Sequence, residues 1–166
     1  MTDDKSRGTA GIRADAIAAL IAVYGPAAST GLGSAVFQQD AIAAESLERP
    51  PWPSIASSSA ATWEAREAEW RAGFREIYRR PHGETCGIDV ELHALKEPAL
   101  RGVVTAMIDD LEDPAGARAA LAAAFDGPTV ADLRLYALGD GGQLAGVEVA
   151  ARFADDRGLF LVLLLD

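Results

Sequence analysis

The sequence predicts an α+β fold: N-terminal helices plus a four-stranded, mainly antiparallel sheet that ends in a C-terminal three-strand meander. Three observations predict it. From Asp132 onward, apolar alternation is broken by Gly- and Asp-rich turns, the pattern of strands joined by hairpins. The meander ends on a near-continuous apolar run, Leu159 to Leu165, which places that segment inside the core. Upstream, Leu100, Val103, Val104, Met107, Ile108 and Leu111 follow the three-four spacing of an amphipathic helix.

Residues 1–10 are expected to be flexible. Ile12, Ala16, Leu20 and Tyr24 recur at helical spacing, with Ile17 and Ile21 beside them, and Gly25-Pro26 ends that helix. A second helix is predicted from Ser34, carrying Phe37, Ala41 and Ala44 on one face. Residues 49–60 form a Pro/Ser-rich connection, extended or polyproline in character, whose Trp52 packs back on the domain to pin the loop or serves as a recognition residue in a proline-rich ligand. Thr62 caps a third helix. Trp63, Trp70, Phe74 and Tyr78 make its aromatic stripe, with Ile77 alongside and Gly73 at a close helix contact. Arg71, Arg75, Arg79 and Arg80 complement the dipole at its C-terminal end, or form an anion- or partner-binding edge. Pro81 stops it.

Residues 86–93 alternate, so a half-buried strand is predicted, with Ile88, Val90 and Leu92 on one side and Asp89, Glu91 and His93 on the other. The helix after Pro98 follows. Asp113-Pro114 reads as the cap and first-turn proline of a further helix, through Leu121 and Phe125 to Gly127-Pro128. In the meander, a three-residue loop Asp140-Gly141-Gly142 pairs Leu135 with Val147 and Arg134 with Glu148, so apolar meets apolar and opposite charges meet. Gly142 would supply the positive φ. The final strand is apolar on both faces, so helices cover one face and an N-terminal helix or a second copy of the chain covers the other. The whole chain, 1–166, is read as a single domain.

Apolar residues make up 49% of the 166 and charged residues 24%, a globular composition. The net charge is -10, against a nucleic-acid binder, which needs a basic footprint for phosphates. Residues 1–80 carry 9 basic and 10 acidic side chains, residues 81–166 carry 6 and 15, so the acidity is concentrated in the second half and suits a basic protein partner. The lone Cys86 allows no internal disulfide and fits a reducing compartment. The first residues lack the pattern of a signal peptide, and the longest apolar run is far shorter than a membrane span. A cytoplasmic protein is expected, away from membranes. Two lysines against 13 arginines in an alanine-rich chain read as GC-rich coding bias, pointing to a bacterial origin.

No motif demands a particular chemistry. Cys86 lies near His82, Glu84 and His93, the parts of a thiol–imidazole site. The alternation opposes it, because Cys86 shares the side of Ile88 and Val90 and His93 does not. The two histidines, His82 and His93, match no compact zinc spacing. Asp109, Asp110, Glu112 and Asp113 form the densest acidic cluster, a solvated corner, the contact of a basic partner, or a divalent-ion site for which no EF-hand loop exists. Arg134, Tyr136, Glu148 and Arg152 share the polar face of the meander, together with Asp89, Glu91 and His93 if the earlier strand joins it. An enclosed polar face would make these four a ligand site. Gly31-Leu32-Gly33-Ser34 is too short for a phosphate loop, and no serine sits in a nucleophile elbow. The sequence therefore favours a non-catalytic protein-binding domain of inhibitor, immunity or adaptor type. The alternative is a small-molecule binder or enzyme with its pocket on the polar face, and a homodimer is the third reading. No catalytic residue, metal or cofactor is expected.

Overall fold

The computed structural model describes residues 14–25, 34–40, 42, 73–81, 87–140 and 144–165. The elements are helix α1 (Ala14–Tyr24), strands β1 (Ser34–Gln39) and β2 (Arg75–Arg79), helices α2 (Ile88–His93), α3 (Pro98–Val104) and α4 (Pro114–Phe125), and strands β3 (Val130–Gly139), β4 (Ala145–Phe153) and β5 (Gly158–Leu165). The described strands form one five-stranded sheet in the order β1-β5-β4-β3-β2, antiparallel at every step. The α+β class and the C-terminal meander are as the sequence predicts, with five described strands rather than four.

Odd-numbered positions of β3, β4 and β5 face the helices. Leu133, Leu135, Val147, Val149, Leu159 and Leu161 pack there with Leu20 of α1, Ile88 and Leu92 of α2, Val103 of α3 and Leu121 and Phe125 of α4. α1 ends at Gly25, whose φ of 84° is the left-handed turn expected after a helix. α3 runs into a π-helical turn, Thr105–Asp109, where the Asp110 amide donates to the Thr105 carbonyl at 2.9 Å. The Met107 carbonyl in that turn accepts from the Tyr24 hydroxyl at 3.0 Å, which ties the turn to α1. α4 starts as expected: the Asp113 carboxylate accepts from the Gly116 amide at 2.9 Å, and Pro114 opens the first turn.

Three predicted elements differ. Ser34 begins a strand, not a helix; β1 pairs along β5, with Val36 opposite Leu161. The reason is the edge of β5, whose amides and carbonyls need a partner that a helix could not supply. Residues 75–79 of the third predicted helix form β2, with a register shift between Glu76 and Tyr78. That bulge turns the consecutive apolar residues Ile77 and Tyr78 both toward the helix-side core. Trp63 and Trp70 lie outside the described residues. The strand predicted for 86–93 is helix α2 over its described part. Ile88 and Leu92, four apart, satisfy both periods; Val90, 69% exposed, fits only the helix. Cys86 lies outside the described residues.

The first turn of the meander also differs. Leu135 stands opposite Val149, Tyr136 opposite Glu148 and Arg134 opposite Ala150, so residues 140–144 connect the strands. This register is two residues away from the predicted one. Because side chains alternate with period two, a shift of two keeps every residue on its face, and matching apolar to apolar could not tell them apart. Among the described residues of this turn Gly139 is left-handed, φ 83°, and Gly142 lies outside the described residues. A Cβ at Gly139 would come 2.3 Å from the Leu144 carbonyl oxygen. Gly139→Ala is therefore expected to destabilise the protein by about 2 kcal/mol or more in urea unfolding. Gly102→Ala, with nothing within 4 Å of its Cβ in mid-helix, should stabilise it by up to about 1 kcal/mol. Equal effects would contradict the assigned turn.

The even-numbered face of the sheet is closed to solvent as well. Tyr136, Leu138, Ala150, Phe160, Val162 and Leu164 are buried there with Ile42 and Leu144, and Phe74 packs against them. α1 lies in the helix-side core, so it does not cover this face. The second face of β5 is already buried within one chain.

Candidate functional site

Along β3 and β4 the even positions carry the polar groups of the second face. The pairing sets Tyr136 opposite Glu148 and Asp132 opposite Arg152, and Glu148 stands opposite Val162 on β5. Arg134 is 4% exposed, Tyr136 2% and Glu148 1%. Arg152 is half-buried. The four residues singled out from sequence thus lie together on one enclosed face. Asp89, Glu91 and His93 do not join them, because α2 packs on the opposite side of the sheet.

The cations of this face are matched. Arg134 Nη2 lies 2.9 Å from Asp132 Oδ2, and its Nη1 lies 3.8 Å from Glu76 Oε2. Burial works against the Arg134 charge, but Asp132 and the Tyr136 hydroxyl hold its pKa above the ordinary arginine value. Arg152 Nη1 reaches Asp156 Oδ1 in the following turn at 3.0 Å. Tyr136 stacks on Phe74 with ring centres 5.0 Å apart and planes 8° from parallel. Burial pushes the Tyr136 hydroxyl up to about 12; Arg134 opposes the shift, and Glu76 and Glu148 add to it.

Glu148 is the exception. Among the described residues its Oε1 has no hydrogen-bond partner, and burial raises its carboxyl well above the ordinary glutamate value. Its neighbours on the face are Gly146 and Ala150 along β4, Tyr136 and Val162 across the strands, and Leu138, Phe160 and Leu164 on the diagonals. Arg134 is a diagonal neighbour too, committed to Asp132. A carboxyl so placed holds its proton to higher pH than an exposed glutamate and can give it up to a base or donate it in a hydrogen bond. Arg152 Nε, also buried, likewise lacks a partner.

The acidic cluster is divided by the fold. Asp109 lies 3.1 Å from His93 Nε2 and pairs with Arg118, whose Nε is 3.4 Å from Asp89. Burial pulls the His93 pKa down, but its bonds to Asp89 and Asp109 prevail and raise it. Asp113 is the cap of α4. Asp110 and Glu112 remain exposed. Beside them an apolar cleft of about 620 Å³ runs between α1 and α4, lined by Ala19, Ala22, Val23, Ala119 and Ala123, with Glu112 and Asp113 at its edge. Among the described residues no group of His, Cys, Asp and Glu is placed to hold a metal ion. None of their helices is long and apolar enough to cross a membrane.

Sequence reasoning missed the buried ion cluster of Arg80. Its Nε lies 3.1 Å from both Glu91 oxygens, Nη1 donates to the Phe125 carbonyl at 2.7 Å, and Nη2 lies 3.2 Å from Asp126. Asp126 in turn accepts the Ile88 amide at 2.8 Å, at the start of α2. The partners lie 11 and 46 residues away, and no local pattern announces them. Asp132 was legible in principle, since positions two apart on a strand share a face.

Comparison with known proteins finds no family model, no curated protein and no solved structure that matches this chain.

Proposed function

We propose that this protein binds a small molecule on the enclosed second face of its sheet, with Glu148 and Arg152 as the groups that engage it and Arg134 and Tyr136 as the polar wall. The observation that carries this reading is the Glu148 carboxyl, buried with an oxygen that no described residue hydrogen-bonds. Burying a polar group without a partner costs about 1–3 kcal/mol, and folds rarely keep one. A ligand that donates to Glu148 and accepts from Arg152 Nε would satisfy both orphan groups. The surrounding aromatic and aliphatic side chains suit its apolar part.

The test is a fragment screen followed through backbone amide shifts. Binders should move Tyr136, Glu148, Ala150 and Val162, and the shifts should vanish in Glu148→Met. Shifts confined to α1 and α4, or none from any fragment, would count against the site.

A second reading, contact with a basic protein, is favoured by the exposed Asp110 and Glu112 beside the apolar cleft. It expects Asp110→Lys with Glu112→Lys to abolish a salt-sensitive complex that Glu148→Met leaves intact.

A further inference from the structure

Resting on the small-molecule site proposed above, we infer that its ligand is an organic cation, an N–H-bearing amine with a compact apolar body, and that Glu148 is its counter-ion. Among the described residues, the charged groups on the face of that carboxyl are matched to one another. From β2 come Glu76 and Arg79, which pair with each other at 3.2 Å. From β3 come Asp132, Arg134 and Tyr136, and Arg134 is held by Asp132 and Glu76. From β4 comes Arg152, held by Asp156. β5 presents Phe160, Val162 and Leu164, none of them titratable, and Ile42 is apolar. Each of these cations already has a carboxylate. Among the described residues of this face, Glu148 is the acid without a cation.

An anionic ligand could reach the partnerless Arg152 Nε, but it would find Arg134 and Arg152 already neutralised by Asp132 and Asp156 and would bring a further negative charge beside Glu148. A cation need displace nothing but a proton. The surroundings agree: Tyr136, directly across from Glu148, belongs to a stacked aromatic pair with Phe74, and aromatic faces attract ammonium groups. Aliphatic neighbours on β5 and Leu138 on β3 take the apolar body. The balance of the binding step is simple. The O–H bond of the Glu148 carboxyl breaks, its proton passes to solvent, and the carboxylate pairs with the incoming ammonium. One positive charge enters as one leaves, so the site's charge is unchanged.

The experiment uses hexylammonium, hexanol and hexanoate as probes of one apolar body with three heads, titrated calorimetrically into the full chain. Mildly acidic pH and two buffers of different ionisation enthalpy allow protons to be counted. Hexylammonium is expected to bind about tenfold or more tighter than hexanol, with about one proton released per amine. Glu148→Gln, which removes a burdened carboxyl and should fold, is expected to lose that preference. If hexanol or hexanoate binds as tightly as the amine, or no proton is released, the amine assignment is overturned while the site stands. If none of the three probes shifts the amides of the second face, the site and the assignment fall together.

Discussion

Replacing Arg80 with alanine is expected to cost the fold about 3–5 kcal/mol. The guanidinium is 11% exposed and Glu91 3%, so both charges sit out of water. Arg80 joins the end of β2 to α2 through Glu91, and to the end of α4 through the Phe125 carbonyl and Asp126. Its own amide donates to the Leu133 carbonyl at 2.9 Å, so the backbone there is fixed to β3 as well. Removing the side chain leaves the Glu91 carboxylate buried without its cation and the Phe125 carbonyl without a donor, the costly half of breaking a buried pair. Arg80→Lys should recover only part of the loss, because an ammonium cannot reproduce the fork that spans three acceptors. Changing Glu91 and Arg80 together to methionine should cost less than Arg80→Ala alone, since the deeply buried Glu91 carboxylate is then not stranded and Asp126 keeps the Ile88 amide as a donor. A loss below about 1 kcal/mol in urea unfolding would mean the pair is solvated.

The same residue shows where sequence reading stops. Arg79 and Arg80 look alike in the chain, yet one is exposed and the other is the hub of a buried cluster, because the strand alternates and its partners come from distant helices. What was legible had a long period or a local cap: α1, α3, α4 with its Asp113 cap, and the meander. What was not legible was short. Ser34–Gln39 and Ile88–His93 each span six residues, over which Ile88 and Leu92 fit a helix and a strand equally well. Tertiary demand decided both, the open edge of β5 in one and the Asp126 and Arg80 contacts in the other. The candidate site was legible as a face, since alternation alone places Arg134, Tyr136, Glu148 and Arg152 on one side. Its enclosure was not, because closing that face depends on parts of the chain remote in sequence, such as Ile42 and Phe74. The acidic cluster shows the converse. Four neighbouring carboxylates read as one patch, but Asp109 is turned to His93 and Arg118 and Asp113 to its own helix.

Replacing Glu148 with methionine is expected to raise the stability of the ligand-free protein by about 1–3 kcal/mol and to abolish binding on the second face. Methionine keeps the unbranched shape and removes the polar oxygens, so the surrounding Tyr136, Val162 and Phe160 need not move. The gain depends on pH in a definite direction. The folded carboxyl titrates well above the ordinary glutamate value of 4.5, so between those two values the folded state holds a proton the unfolded chain has lost. Stability therefore falls as pH rises through that window, and is fully retained below it. The difference between Glu148→Met and the native chain should widen across the same window and then level off. On the proposed small-molecule reading, that cost is stability traded for the group that meets the ligand. A difference that stays constant with pH, or a variant less stable than the native chain, would show that Glu148 is solvated or paired.

The most direct measurement is a titration of the Glu148 side-chain carboxyl by carbon NMR, in protein labelled at the glutamates and assigned by comparison with Glu148→Gln. A midpoint well above the ordinary 4.5, with the other glutamates titrating separately, is the expected result, because burial alone acts on this carboxyl. A midpoint at or below 4.5 would mean that water or a cation already satisfies Glu148. The second face would then lack the unmatched acid on which the small-molecule site rests.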